Sequence, residues 1–296
     1  SAAILLIFAY FLYRYGVFKK LPEIFESLDL KLLVLSILSY IFTYCLRALR
    51  FSLIFPSIKV SQMVAVMGVH TFFNNVLPFR SGEASFPIIL KKLFGVETHA
   101  SSTALLFVRL LDLLSLSLIF SFSVFTVSLK ERKLLWFSGG IFILLILTTW
   151  MLLKILNKLK NRFKLIASVL AFLSTFISIS KLFRLIAYSF LNWLTKFFSF
   201  YLIFKAAKVN LSFPQTVFIS TFGELTTILP IHSFGGFGTY EAGLVGGFKL
   251  LGVKTSTALT VAFYFHLILL LMSGMLAFFG WIYLSKTVLE KISWKN

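Results

Sequence analysis

Apolar runs long enough to cross a bilayer recur along almost the whole chain, at residues 2–18, 32–55, 60–77, 101–128, 134–153, 182–204, 213–230 and 255–284. A helix needs about 20 apolar residues to span the hydrocarbon core, and inside lipid only a helix or a closed barrel satisfies its own backbone. A barrel would show alternating segments of about ten residues, whereas these runs are continuous. The expected fold is therefore an all-α polytopic membrane protein, one integral membrane domain over residues 1–296, with about eight transmembrane helices. The mean hydropathy of +0.95 agrees, and it leaves no stretch for a soluble domain of useful size. The first run has no basic leader and no small-residue cleavage site, so it reads as a first transmembrane helix and not as a signal peptide.

The 29 basic residues against 10 acidic ones would suggest nucleic acid in a soluble protein. Here they cluster between apolar runs, as in "KILNKLKNRFK" (154–164), where they meet anionic lipid headgroups or set topology. No nucleic-acid partner is expected. The basic loops at 19–31 and 154–181 favour that side as cytoplasmic. Cys45 is the only cysteine, which excludes an intrachain disulfide and a thiolate metal cluster, and the four histidines lack metal-ligand spacing. No metal and no cofactor are expected.

Two apolar pieces, 84–94 and 238–252, are too short to span and follow Pro78 and Pro230; they read as re-entrant or broken helices. They belong to a larger repetition. "LIFPSIKV" (53–60) matches "LIFKAAKV" (202–209), "NVLP" (75–78) matches "TILP" (227–230), "KLFGV" (92–96) matches "KLLGV" (249–253), and "STAL" recurs at 102–105 and 256–259. Matches in the same order indicate an internal duplication of residues 31–128 and 181–284. Segment 165–180 decides the relation between the copies: parallel if it lies in the interface, inverted if it crosses.

Charge inside such a chain is expensive and marks candidate function. Arg47 and Arg50 share a helix face late in the second run; they either snorkel to the interface or form a cationic patch for phosphate. Arg109 and Asp112, three residues apart, are expected to neutralise one another, with Asp112 alternatively serving another buried Arg. In "NNVLPFRSGEAS" (74–85), Pro78 removes a backbone donor and Gly82 permits a turn, so that Arg80 and Glu83 face the opening. Asn75 is placed to bond carbonyls freed there. The second break, "TILPIHSFGGFGTYEAG", offers His232 and Glu241 in corresponding places. Such paired breaks point to a transporter site. His70 reads as a packing residue, and Glu224 as a partner for Arg or Lys of the other repeat.

The combination of Arg47/Arg50, "NVLPFRSGE", Arg109/Asp112 and "LPIHSFGGFGTYE" resembles the lysylphosphatidylglycerol synthase transmembrane, flippase-like family, over nearly the whole chain. The chain departs from that pattern in "ASF" after Gly82-Glu83, in Val108 before Arg109, and in Tyr264 and His266 in the last span. The resemblance implies a lipid-translocating domain, without the synthases' soluble transferase domain, and with both termini in the cytoplasm, opposite to the basic-loop count. The expected function is a lipid flippase or transporter in the cell's inner membrane, not an enzyme. Arg47, Arg50, Arg80 and Arg109 would receive an anionic headgroup (aminoacyl-phospholipid or polyprenyl-phosphate-linked), while Glu83, Asp112 and Glu241 balance charge or carry protons. No P-loop sequence occurs, so ATP is not the expected energy source. The alternatives are a non-transporting accessory subunit of an envelope lipid or glycan pathway and a lipid-modifying transferase. A second copy of the chain and an envelope-biosynthesis protein are the protein partners left open.

Overall fold

In the computed structural model, residues 2–127, 132–176, 178–228 and 233–293 are described, and among them every regular element is helical. The first expected span does not form as one helix. It divides at Gly16, whose φ of 63° places it in the left-handed region, into α1 (Ala2–Arg14) and α2 (Val17–Glu26). At 1.5 Å per residue the 13 residues of α1 cover about 20 Å, less than a bilayer core. α2 is amphipathic: Val17 is buried and Phe25 meets the Tyr264 ring at 5.6 Å, while Lys19, Lys20, Glu23 and Glu26 are exposed.

α3 (Leu30–Ile54) starts where Asp29 accepts hydrogen bonds from the Lys31 and Leu32 N–H groups at 2.9 and 3.2 Å, the usual role of an N-cap carboxylate. α4 (Val60–Val76) stops before Pro78, and a 3₁₀ turn over Pro78–Ala84 leads into α5 (Ser85–Phe94). α5 closes on left-handed Gly95, with Gly95 N–H donating to Lys91 O and Val96 N–H to Leu90 O, a Schellman arrangement. Then follow α6 (Thr98–Thr126), α7 (Arg132–Leu159) and α8 (Lys164–Phe176). The second half repeats the order: α9 (Ile179–Ala206), α10 (Phe213–Ile228), a 3₁₀ turn over Phe234–Gly236, α11 (Thr239–Leu250) and α12 (Thr255–Ser293). The sequence 165–180 forms α8 and turns by 94° into α9.

Three described helices, α3, α6 and α12, are long and apolar enough to cross a membrane, and a fourth counts if the bent α8–α9 pair is one span. That is a helical membrane protein, with fewer qualifying spans than the eight expected. For three of the others the causes are local: α1 is cut at Gly16, the break at Pro78 holds α4 to 17 residues, and α9 carries internal charge; the run 213–230 ends in residues outside the described ones.

The core joins the two halves. α3 lies along α9, with Ser199 Oγ donating to Ser36 O (2.9 Å) and Ser39 Oγ to Thr195 O (3.1 Å). α12 lies along α4, where a Cβ on Gly280 would stand 2.7 Å from Ala65 O and one on Gly68 2.8 Å from Leu276 O. Small residues at such crossings let helix backbones approach closely in lipid. α10 and α11 meet the same way at Gly243, whose added Cβ would fall 2.5 Å from Phe222 O, while Gly246 on the same helix has open space. Gly243→Ala must push two backbones apart and is expected to destabilise by about 1–3 kcal/mol. Gly246→Ala is expected to be neutral or stabilising by about 0.5–1 kcal/mol. Thermal unfolding of the two variants in one detergent compares them.

Candidate functional site

Both expected breaks have an irregular backbone. At the first, Leu77 is extended, and Phe79 and Arg80 adopt φ of 55° and 57°, positions that non-glycine residues occupy at a cost of about 1–3 kcal/mol each. Ser81 Oγ donates to Pro78 O at 2.9 Å, and Gly82 lies so close to the Phe73 backbone that a Cβ would be 2.3 Å from its carbonyl oxygen. This tight turn folds back on α4 and brings Glu83 among three basic groups. Arg80 Nη2 and Arg109 Nη2 reach Glu83 Oε1 at 2.5 and 3.2 Å, and His70 Nε2 lies 4.0 Å from Oε2. His70 also bonds Ser85 Oγ through Nδ1 at 2.9 Å. It is more than the packing residue expected, because it joins α4 to the turn.

On α3 the two arginines have different fates. Arg50 is 2% exposed and pairs with Asp112, with a second bond to Ser189 Oγ at 2.9 Å. It does not snorkel. The expected pairing of Arg109 with Asp112 is therefore replaced by two pairs across helices, Arg50–Asp112 and Arg109–Glu83. Each of the two α6 groups thus finds its partner on another element, Asp112 on α3 and Arg109 in the Pro78–Ala84 turn. Arg47, in contrast, bonds neutral groups: Asn192 Oδ1 at 3.3 Å and Thr71 Oγ1 at 3.1 Å, with its guanidinium 5.1 Å from the Tyr44 ring centre. Among the described residues no carboxylate pairs with it.

The second half contributes Lys196 and Glu224. Lys196 Nζ meets Glu224 Oε2 at 2.7 Å, and Tyr240 OH donates to Glu224 Oε1 at 3.2 Å. Glu224 thus pairs within residues 181–284 and not with residues 31–128. The Trp193 and Phe200 rings also face the Lys196 ammonium, at 4.7 and 5.4 Å. At the second break Gly235, Gly236 and Gly238 take φ of 61°, 72° and 86°. Glu241 accepts from Gly238 N–H at 2.7 Å and bonds His266 Nδ1 at 2.8 Å. His232 and Pro230 lie outside the described residues. In both halves a glutamate next to the break bonds a basic side chain on the helix that follows: Glu83 with Arg109 on α6, Glu241 with His266 on α12.

These elements enclose a polar cavity of two lobes, about 130 and 90 Å³. Arg47, Thr71, Asn74, Arg109, Lys196, Glu224 and Thr227 line both, which makes the lobes contiguous. Arg50, Arg80, His70 and Asp112 complete the larger lobe; Asn75, Tyr40, Tyr240 and His266 belong to the smaller. Glu241 is fully buried and reaches the cavity only through His266, as Glu83 reaches it only through Arg80 and Arg109. Five cations (Arg47, Arg50, Arg80, Arg109, Lys196) and two carboxylates (Asp112, Glu224) stand on the wall; Glu83 and Glu241 lie behind it, bonded to Arg80 and Arg109 and to His266, so that five cations meet four carboxylates, a difference of 5 − 4 = +1. The buried Nε donors of Arg50 and Arg109 have no hydrogen-bond partner among the described residues. No group of three metal-ligating side chains occurs among those residues either. Across the first break lies an apolar groove of about 520 Å³, bounded by Phe73, Gly82, Ile88, Trp281 and Leu284.

Sequence reasoning missed Lys196, Asn192 and Thr71 as cavity residues. A signal for Lys196 exists: in the "LIFPSIKV"/"LIFKAAKV" register it aligns with Arg47.

The profile of the lysylphosphatidylglycerol synthase TM region matches residues 1–277, and the chain belongs to that family. Nothing among curated proteins or solved structures matches it.

Proposed function

We propose that this member of the family binds the headgroup of an anionic, phosphate-bearing lipid in the two-lobed cavity and carries it across the inner membrane. The carrying observation is the surplus of cationic donors on the cavity wall. Among the described residues Arg47 has only neutral partners, and Arg50 and Arg109 each keep a buried Nε–H unused. Buried charge is normally paired or hydrogen-bonded, and a phosphate oxygen supplies both needs, with the planar fork that suits Arg to it. The apolar groove supports a lipid as the bearer of that phosphate, because one turn of backbone, Pro78–Ala84, separates it from the cavity. A headgroup and its acyl chains would occupy the two sides of that turn. The copies 31–128 and 181–284 would form the two arms around the site, each with its own broken helix.

Proteoliposomes loaded with fluorescent phosphatidylglycerol test this reading. Transbilayer movement is expected with the native chain and is expected to drop at least tenfold in Arg80→Ala and Glu83→Gln. Glu83→Gln removes the charge that holds both Arg80 and Arg109, so the cavity loses its shape as well as its balance. Full movement in both variants would remove the cavity from the function. Chemical turnover of the headgroup without movement would favour a transferase.

A further inference from the structure

Glu241 is 0% exposed and has two hydrogen-bond partners among the described residues, Gly238 N–H and His266 Nδ1. A carboxylate only accepts, so Nδ1 carries the hydrogen in that contact. The other ring nitrogen of His266, Nε2, bonds none of the described residues, and the ring lines the smaller lobe between Phe237 and Tyr240 at 5.1 and 4.7 Å. This arrangement can take up one proton without moving. Protonation at Nε2 leaves the Nδ1–Glu241 bond in place and turns it into a charge-assisted pair, stronger than its neutral form. Histidine is the side chain suited to such a change near neutral pH.

The surroundings determine when the proton is welcome. The other titratable or charged groups on the lobe are Tyr40 and Arg47 of α3, Arg109 of α6, Lys196 and Glu224 of α9 and α10, and Tyr240 of α11; α4 adds only neutral Thr71, Asn74 and Asn75. Glu224 is committed to Lys196 and Tyr240. Arg47, with no carboxylate partner among the described residues, lines the same lobe as His266, so an anion held by Arg47 and a proton on His266 would be opposite charges facing one small space.

We infer that His266, backed by Glu241, is a proton-binding site coupled to the anion site, so that an anionic headgroup enters the cavity together with one proton. The inference rests on the reading of the cavity as an anion site. Coupling of this kind is reciprocal: if the anion favours the proton, the proton favours the anion by the same factor. The pair makes the chain a proton–lipid cotransporter, with the pH gradient available to drive the step. His70 is the competing candidate: it lines the larger lobe, its Nδ1 bonds Ser85 Oγ, and its buried Nε2, 4.0 Å from Glu83, has no hydrogen-bond partner among the described residues, so the two histidines are separated by experiment.

The test is calorimetric titration of purified protein, in a non-ionic detergent, with dihexanoyl phosphatidylglycerol, whose phosphodiester does not titrate in the range used. From pH 8 to pH 6 the affinity is expected to rise about fivefold to tenfold, within the usual range for coupled sites. Comparison of two buffers of different ionisation enthalpy should show uptake of up to one proton on binding. His266→Asn, whose amide reaches where Nδ1 stands, is expected to bind with no pH dependence and no proton uptake, while His70→Gln keeps both. Binding of equal strength at both pH values in the native chain would overturn the inference, as would a slope that survives His266→Asn or vanishes in His70→Gln. Absence of binding at either pH would instead sink the anion-site reading, so the two failures are told apart. Should His266→Asn fail to fold, the proton count of the native chain still decides.

Discussion

Arg47→Ala is expected to weaken binding of an anionic phospholipid headgroup by about 10- to 100-fold, the range for hydrogen bonds to a charged group of roughly 1.5–3 kcal/mol, and to leave the thermal midpoint nearly unchanged. The separation of the two effects follows from its partners. Asn192 and Thr71 are neutral, and both border the cavity, so water can take the place of the lost guanidinium without stranding a charge. Arg47→Lys keeps the charge but cannot offer two parallel N–H groups and should fall between the native chain and the alanine variant. Titration with phosphatidylglycerol, beside thermal unfolding of the same preparations, checks both halves of the expectation. A large loss of stability would mean that Arg47 is structural.

Asp112→Ala should do the reverse, destabilising the fold by about 3–5 kcal/mol, as removal of one partner from a buried ion pair generally does. Arg50 would then keep one hydrogen bond, to Ser189, for a guanidinium that is 2% exposed. The double variant Arg50→Met, Asp112→Leu removes both charges and fills similar volume, and it is expected to recover most of the lost stability. Its headgroup affinity should fall less than that of Arg47→Ala, because Arg50 is already neutralised by Asp112 and Arg47 is not. Detergent-solubilised thermal melts of the single and double variants measure the coupling directly.

The two breaks were legible in the sequence because proline and glycine act locally: Pro78 removes a donor wherever the helix goes next, and Gly82 fits where a Cβ would strike Phe73. Most of α3, α6 and α12 was legible for a similar reason, since twenty apolar residues admit few other outcomes. What the sequence left open was which charge meets which. Arg109 and Asp112 are neighbours on α6, yet each is satisfied from another element, by Glu83 and Arg50. That choice depends on how α3, α6 and the first break lie in space, which no local spacing records. Lys196 was obscured differently. It sits within "NWLTKFFSF", where Trp193 and Phe200 shield it and make the segment look like unbroken lipid-facing helix. Gly16 escaped notice because a single left-handed residue ends α1 inside a run that is mostly apolar from residue 2 to residue 18.

The single turn of Pro78–Ala84, with the cavity on one face and the apolar groove on the other, has a practical consequence at the bench. A surfactant with an anionic head and one alkyl tail has the same two ends as the proposed cargo. Sulfate, sulfonate and carboxylate detergents should therefore behave as competitive inhibitors during extraction, and protein purified in them should look inactive until they are exchanged for a sugar-headed detergent. The same molecules, titrated deliberately, would serve as the first inhibitors of the site.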